Sequence, residues 1–130
     1  MRSIDPPRRR PAPLVLRGRD AHGGEREVNL EELTLLIVVK PNCQACEELL
    51  AHDARGFEGF NVWYLVDEEL ALASDAPRLL RVSAATLATL EVRWPPAYLV
   101  IDPTCAEVIF EGVVFDAEQI MEEVGHLARR

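Results

Sequence analysis

The sequence predicts a single α/β domain, a central mixed β-sheet flanked by helices and extended at its N-terminus by a β-hairpin. Two patterns carry this. Short, unbroken apolar runs rich in β-branched residues recur at 35–39, 62–66 and 97–101, the mark of strands buried on both faces. Between them lie stretches with apolar residues three and four apart, so strands and helices follow one another along the chain. The 130 residues suffice for one hydrophobic core, and 48% hydrophobic with 28% charged residues is the balance of a folded globular protein.

Residues 14–17 and 26–29 are two extended pieces around the turn-rich DAHGGE, which makes them the hairpin. LEEL at 30–33 reads as a single helical turn. Strand 35–39 stops at Pro41, and Asn42 stands as N-cap of a helix that starts at Cys43, spaces Cys46, Leu49 and Leu50 along one face, and ends at Gly56. Strand 62–66 completes a βαβ unit and divides Trp63 and Tyr64 between its two faces. Asp75 and Pro77 open a second helix running to about Glu91, with Leu79, Leu80, Ser83, Leu87 and Leu90 on a common face. After Pro95 and Pro96, strand 97–101 turns through DPTCAE into a hairpin partner at 108–110. Asp116, with Gln119 three residues on, caps a last helix striped by Ile120, Met121, Val124 and Leu127.

Charge is unevenly spread. Residues 1–20 hold six arginines against Asp5 and Asp20, a net +4, which leaves −12 for the remainder of a chain whose total is −8. The basic excess sits in PPRRRPAP, so residues 1–13 read as a flexible basic Pro/Arg-rich tail and residues 14–130 as the domain. An acidic body excludes nucleic acid as its partner, and no apolar run approaches the roughly 20 residues of a membrane span. No apolar segment of about 7 to 15 residues follows the first arginines, as a secretory signal requires, and the expected compartment is the cytoplasm. A close cysteine pair there is catalytic or metal-binding rather than a structural staple.

The chemistry concentrates at KPNCQACEELL. Unpaired N–H groups and the positive end of the helix dipole favour thiolate over thiol at Cys43, making it the attacking sulfur. The two-residue spacer puts Cys46 within reach to resolve a mixed disulfide. Lys40, the one lysine in the chain, stands nearby as a source of positive potential or as a surface side chain at a strand end. A CxxC pair also begins many zinc sites, but a tetrahedral set here would need Cys105 and one of His22, His52 or His126, and Cys105 falls at the far end of strand 97–101. His52 and His126 read as surface residues, and Asp67, Glu68 and Glu69 as a solvated loop.

Four features in this order, an N-terminal hairpin, a strand leading to a CxxC helix, WYLVDEE, and PAYLVID before a hairpin and final helix, resemble the thioredoxin superfamily, in particular its TlpA and ResA-type branch, from Leu14 to the C-terminus. The resemblance implies a thioredoxin fold in which Pro96 is the cis-proline beside the dithiol, presenting backbone groups to an extended substrate. Trp94, Pro95 and Asn42 would border that groove. The chain departs from the family at Asn42, where tryptophan is common, at Gln44-Ala45 in place of Gly-Pro, and at Ile37, where thioredoxins carry a buried aspartate. The implied activity is thiol-disulfide exchange on protein disulfides with Cys43 and Cys46 catalytic, a separate reductant or oxidant, and no cofactor. The alternatives are a redox-inactive thioredoxin-like interaction module and, behind it, a metal-handling CxxC.

Overall fold

The structure, a computed structural model, describes residues 9–51 and 57–129. His52 and Gly56 lie outside the described residues, as do Arg2, Asp5 and Arg8 of the basic segment. Eight strands form one sheet: β1 (Arg10–Pro11), β2 (Val15–Arg19), β3 (Glu25–Asn29), β4 (Thr34–Val38), β5 (Asn61–Asp67), β6 (Leu79–Val82), β7 (Ala97–Asp102) and β8 (Glu107–Val113). Helices α1 (Gln44–Ala51), α2 (Ala84–Thr89) and α3 (Ala117–Val124) complete it, α3 running on into a 3-10 turn at Gly125–Arg129.

Strand order is β1-β8-β7-β4-β5-β6-β2-β3, so the central β4 lies between β5, parallel, and β7, antiparallel. All five residues of β4 are buried, which explains why 34–38 carries no polar alternation. Side chains alternate between two cores. Leu35, Ile37, Tyr64, Tyr98 and Val100 pack with Cys46, Leu49, Ile120 and Val124 on the side of α1 and α3. Leu36, Val38, Trp63, Leu65 and Leu99 pack with Leu87 and Leu90 of the α2 region on the other. Trp63 and Tyr64 therefore divide between the faces as the alternation of a strand requires. Each fully buried aliphatic side chain contributes about 1.5–3 kcal/mol.

The hairpin expected at the N-terminus is β2–β3, in register from Val15↔Asn29 to Arg19↔Glu25. Its turn is held by Asp20, whose carboxylate accepts from the N–H groups of His22 and Gly24, both at 2.9 Å; these hydrogen bonds lower the Asp20 pKa. At the other end of the chain, Asp116 and Gln119 form a complete capping box on α3.

Three expectations are corrected. Residues 30–33 are not helical but run straight into β4. The helix expected from Asp75 to Glu91 is strand β6 followed by the short α2, capped by Ser83, whose side chain accepts from Thr86 N–H. Leu79 and Leu80 are adjacent and both fully buried, but in opposite cores, which a strand allows and one helix face does not. β6 pairs parallel with β5, and its outer edge meets β2 at Arg19↔Arg81. Finally, the tail expected through residue 13 yields to structure at its inner end. Arg10 and Pro11 pair with Val108 and Glu107 at the β8 edge, and Ala12 N–H donates to Ala106 O at 2.9 Å. What orders this segment is edge pairing and a buried ion-paired arginine, neither of which composition reveals.

Candidate active site

β4 delivers the chain to the site. Beyond Val38 it passes Val39, which remains buried, then exposed Lys40, then Pro41 and Asn42. Asn42 has φ 57°, a left-handed conformation that asparagine tolerates better than most residues. Asn42 is not the helix cap. The first helical residue is Gln44, and Cys43 occupies the capping place: its Sγ accepts the Cys46 N–H at 3.2 Å while its carbonyl accepts from Glu47 N–H at 3.0 Å. The sulfur thus receives one of the helix's otherwise unpaired donors, where negative charge is favoured.

Cys43 and Cys46 are joined as a disulfide with Cα atoms 5.2 Å apart, an ordinary separation for such a bond. The two sulfurs differ in access. Cys46 is 0% exposed within the core under α1, whereas Cys43 is only partly buried.

The loop before β7 lies at the same end of the central strands. Val38 pairs with Ala97, so Pro96 flanks the end of β4 from which the CxxC segment departs. The Pro95–Pro96 bond is cis, and the Pro96 carbonyl accepts Val114 N–H at 3.1 Å, tying the loop to the end of β8. Pro95 lines a cleft of about 540 Å³ together with Val38, Val39, Leu87, Val92 and Arg93. Trp94 stands beside it, 83% exposed. A second groove, about 490 Å³, starts at Pro41 and Asn42 and runs between α1 and residues 71–76. The structure therefore brings Cys43, Cys46, Asn42, Pro95, Pro96 and Trp94 to one end of the central strands β4 and β7. Lys40 is there too, exposed and ion-paired with no acid among the described residues.

Val113 and Phe115, 56% and 66% exposed, were not suggested by the sequence. Val113 pairs with Ala97 next to Pro96, so β8 adds apolar surface at the same end of the strands. The signal available was Phe115 itself, an aromatic residue outside the apolar stripe of α3 and directly before its cap.

Cys105 is exposed at the β7–β8 turn, where its thiol lies near the Asp102 carbonyl and the Arg9 guanidinium. Five residue steps of β7 separate Ala97 from that end, about 16 Å of strand, so Cys105 lies away from the dithiol. Among the described residues no group of three or more His, Cys, Asp or Glu is placed to hold a metal ion.

No protein-family model matches the chain, and no curated protein matches its sequence. Solved structures do resemble it. The thioredoxin domain of a thiol-disulfide oxidoreductase from Bacteroides vulgatus superposes with a TM-score of 0.67 at 11% identity, over 97% of this chain and 99% of that one. The exposed lipoprotein thioredoxin of Streptococcus pneumoniae gives 0.65 at 15% identity, over 86% and 98%. A thio-disulfide isomerase from Thermus thermophilus gives 0.56 at 18% identity, over 96% and 97%. The chain has the thioredoxin fold, with a disulfide-joined CxxC pair at the start of α1. No helix among the described residues is long and apolar enough to cross a membrane.

Proposed function

We propose that the protein is a thiol-disulfide oxidoreductase of the TlpA and ResA type acting on protein disulfides. The observation that supports this best is the unequal access of the two joined sulfurs, Cys43 partly open at a helix start and Cys46 fully buried behind it. In the reducing direction the Cys43 thiolate attacks one sulfur of the substrate disulfide, forming a mixed disulfide and releasing the other sulfur as thiolate. Cys46 then gives up its proton and attacks Cys43 Sγ, which closes the Cys43–Cys46 bond and releases the second substrate thiolate. Two electrons pass from dithiol to substrate, and an external dithiol restores the reduced pair. The oxidising direction is the same sequence reversed. Pro95, Pro96 and Trp94 border the incoming chain on one side and Asn42 on the other. Lys40 adds positive potential at this end of the strands.

One observation favours the alternative, a redox-inactive interaction module. Ile37 occupies the place of the buried aspartate, fully buried and flanked in register by Tyr64 and Tyr98, so the proton of Cys46 leaves through water or through the departing substrate thiolate. Equilibrating metal-free protein in glutathione buffers and trapping free thiols separates the readings. A reversible two-electron transition within roughly −120 to −270 mV, the range of known oxidoreductases, absent in Cys43→Ser, is the expected result. A pair that stays reduced in strongly oxidising buffer sinks it in favour of the interaction module.

A further inference from the structure

We propose that Arg10 is a positioning residue for the segment leading into the Pro95–Pro96 loop, and so for the cleft that Val92, Arg93 and Pro95 line. This rests on the thiol-exchange reading above for its consequence, though not for its geometry. The Arg10 side chain is 8% exposed and spans two elements. Its Nη2 donates to the carbonyl of Leu90, the C-cap of α2, at 2.9 Å and to Glu111 Oε2 of β8 at 2.8 Å; its Nε lies 3.1 Å from Glu91 Oε2. The two N–H bonds of Nη2 address Leu90 O and Glu111 at once while the guanidinium charge lies beside Glu91, whereas an ammonium is a single point charge.

Glu91 adopts φ 58°, the left-handed residue that closes α2: its N–H donates to Ala88 O at 3.0 Å and the Val92 N–H to Leu87 O at 3.1 Å. The ion pair to Arg10 fixes the Glu91 side chain while Arg10 also holds the preceding carbonyl. Four residues later comes Pro95, and beyond Pro96 the chain is fixed again by the pairing of Ala97 with Val38. The intervening Val92 and Arg93 line the same cleft as Pro95, as do Val38 and Val39, which precede the CxxC segment in the chain. The segment is thus held at one end by the central sheet and at the other by the closing hydrogen bonds of α2 together with Arg10, which clamps the Leu90 carbonyl and the Glu91 side chain. Loosening the Arg10 end displaces the cleft wall without touching either sulfur. Its signature is weaker binding of a peptide disulfide with the dithiol chemistry unchanged.

The test uses the full chain carrying Arg10→Lys, with Arg10→Met beside it and Arg17→Met as a control. Arg17 pairs with Glu27 on the exposed hairpin, so its loss changes net charge at a distance from the cleft. Two measurements are made on variants that circular dichroism shows to be folded. Hydrogen exchange at the Glu91 and Val92 amides, which donate to Ala88 O and Leu87 O, reports the segment directly, and turnover of a fluorogenic peptide disulfide with dithiothreitol as terminal reductant reports binding. Arg10→Lys is expected to speed exchange at these amides about tenfold or more. It is also expected to raise KM about fivefold with kcat within about twofold and an unchanged Cys43–Cys46 reduction potential, Arg17→Met leaving all of these as they were. Unchanged amide exchange overturns the proposal, and so does faster exchange with an unchanged KM. A wild-type protein that does not turn over defeats the oxidoreductase reading instead, and amide exchange alone then decides whether Arg10 holds the segment.

Discussion

Cys43 Sγ accepts the Cys46 amide N–H at 3.2 Å, so in the proposed exchange the sulfur that meets substrate is capped by the backbone of the residue that resolves it. Because Cys46 is buried, a substrate sulfur reaches Cys43 first. In Cys46→Ser the resolving thiol is gone, and reaction with a peptide disulfide is expected to stop at a mixed disulfide on Cys43, seen by mass spectrometry as a stoichiometric adduct that dithiothreitol removes. Cys43→Ser is expected to give none at this site. Adducts forming equally in both variants would reverse the assignment. Cys105 is replaced by serine throughout, since its exposed thiol reacts on its own account.

Gly112 is present because Tyr98 lies across it. A Cβ at this position would come within 2.7 Å of the Tyr98 ring and hydroxyl, and the ring cannot retreat, being 0% exposed and hydrogen-bonded to Glu123. Gly112→Ala is expected to cost about 1–3 kcal/mol as overpacking, read as a lower urea midpoint with an unchanged m-value. A midpoint equal to wild type would mean that β8 shifts to make room.

The same tyrosine gives a pH dependence. Burial pushes the Tyr98 phenol up, the hydrogen bond to Glu123 adds to this, and burial raises Tyr64 as well. Above pH 10, the ordinary value for tyrosine, the unfolded chain releases these protons while the folded protein keeps them. Their contribution to stability is therefore complete below pH 10 and lost progressively as pH rises above it. Tyr98→Phe is expected to lose about 1–2 kcal/mol at neutral pH, because half-buried Glu123 loses a donor, yet to show a shallower fall of stability between pH 10 and 11. Urea titrations at both ends of that window check it, and parallel slopes for the two proteins would refute it.

What the sequence discloses follows from where each signal resides. β4, β5 and β7 are legible because strands buried on both faces need continuous apolar runs, and Pro95-Pro96 followed by such a run marks the loop beside the dithiol. Residues 79–90 mislead because leucines at 79, 80, 87 and 90 satisfy a helical period. Only the tertiary partners, β5 on one side and β2 on the other, show that Leu79 and Leu80 serve opposite cores. Asn42 has the chemistry of a cap, but its left-handed backbone passes that place to Cys43, which no propensity favours. Arg10 is invisible for the same reason: its partners Leu90, Glu91 and Glu111 are eighty or more residues away in sequence.

Trp94 offers the sharpest separation of stability from function. At 83% exposure it contributes little to the core, so Trp94→Ala is expected to change unfolding free energy by no more than about 0.5 kcal/mol. Yet an indole left in water next to Pro95, with exposed Val113 and Phe115 at the same end of the strands, is surface that a bound polypeptide would cover. Exposed tryptophans of this kind are recurrent energetic anchors once desolvated, and losing about 1.4 kcal/mol of such contact is a tenfold change in affinity. Turnover of a protein disulfide such as insulin by Trp94→Ala is expected to show KM raised about tenfold with kcat nearly preserved, while exchange with glutathione disulfide, too small to span the patch, stays near wild type. Equal losses with both substrates would place the effect at the dithiol rather than at the surface beside it, and no loss with either would remove Trp94 from the groove.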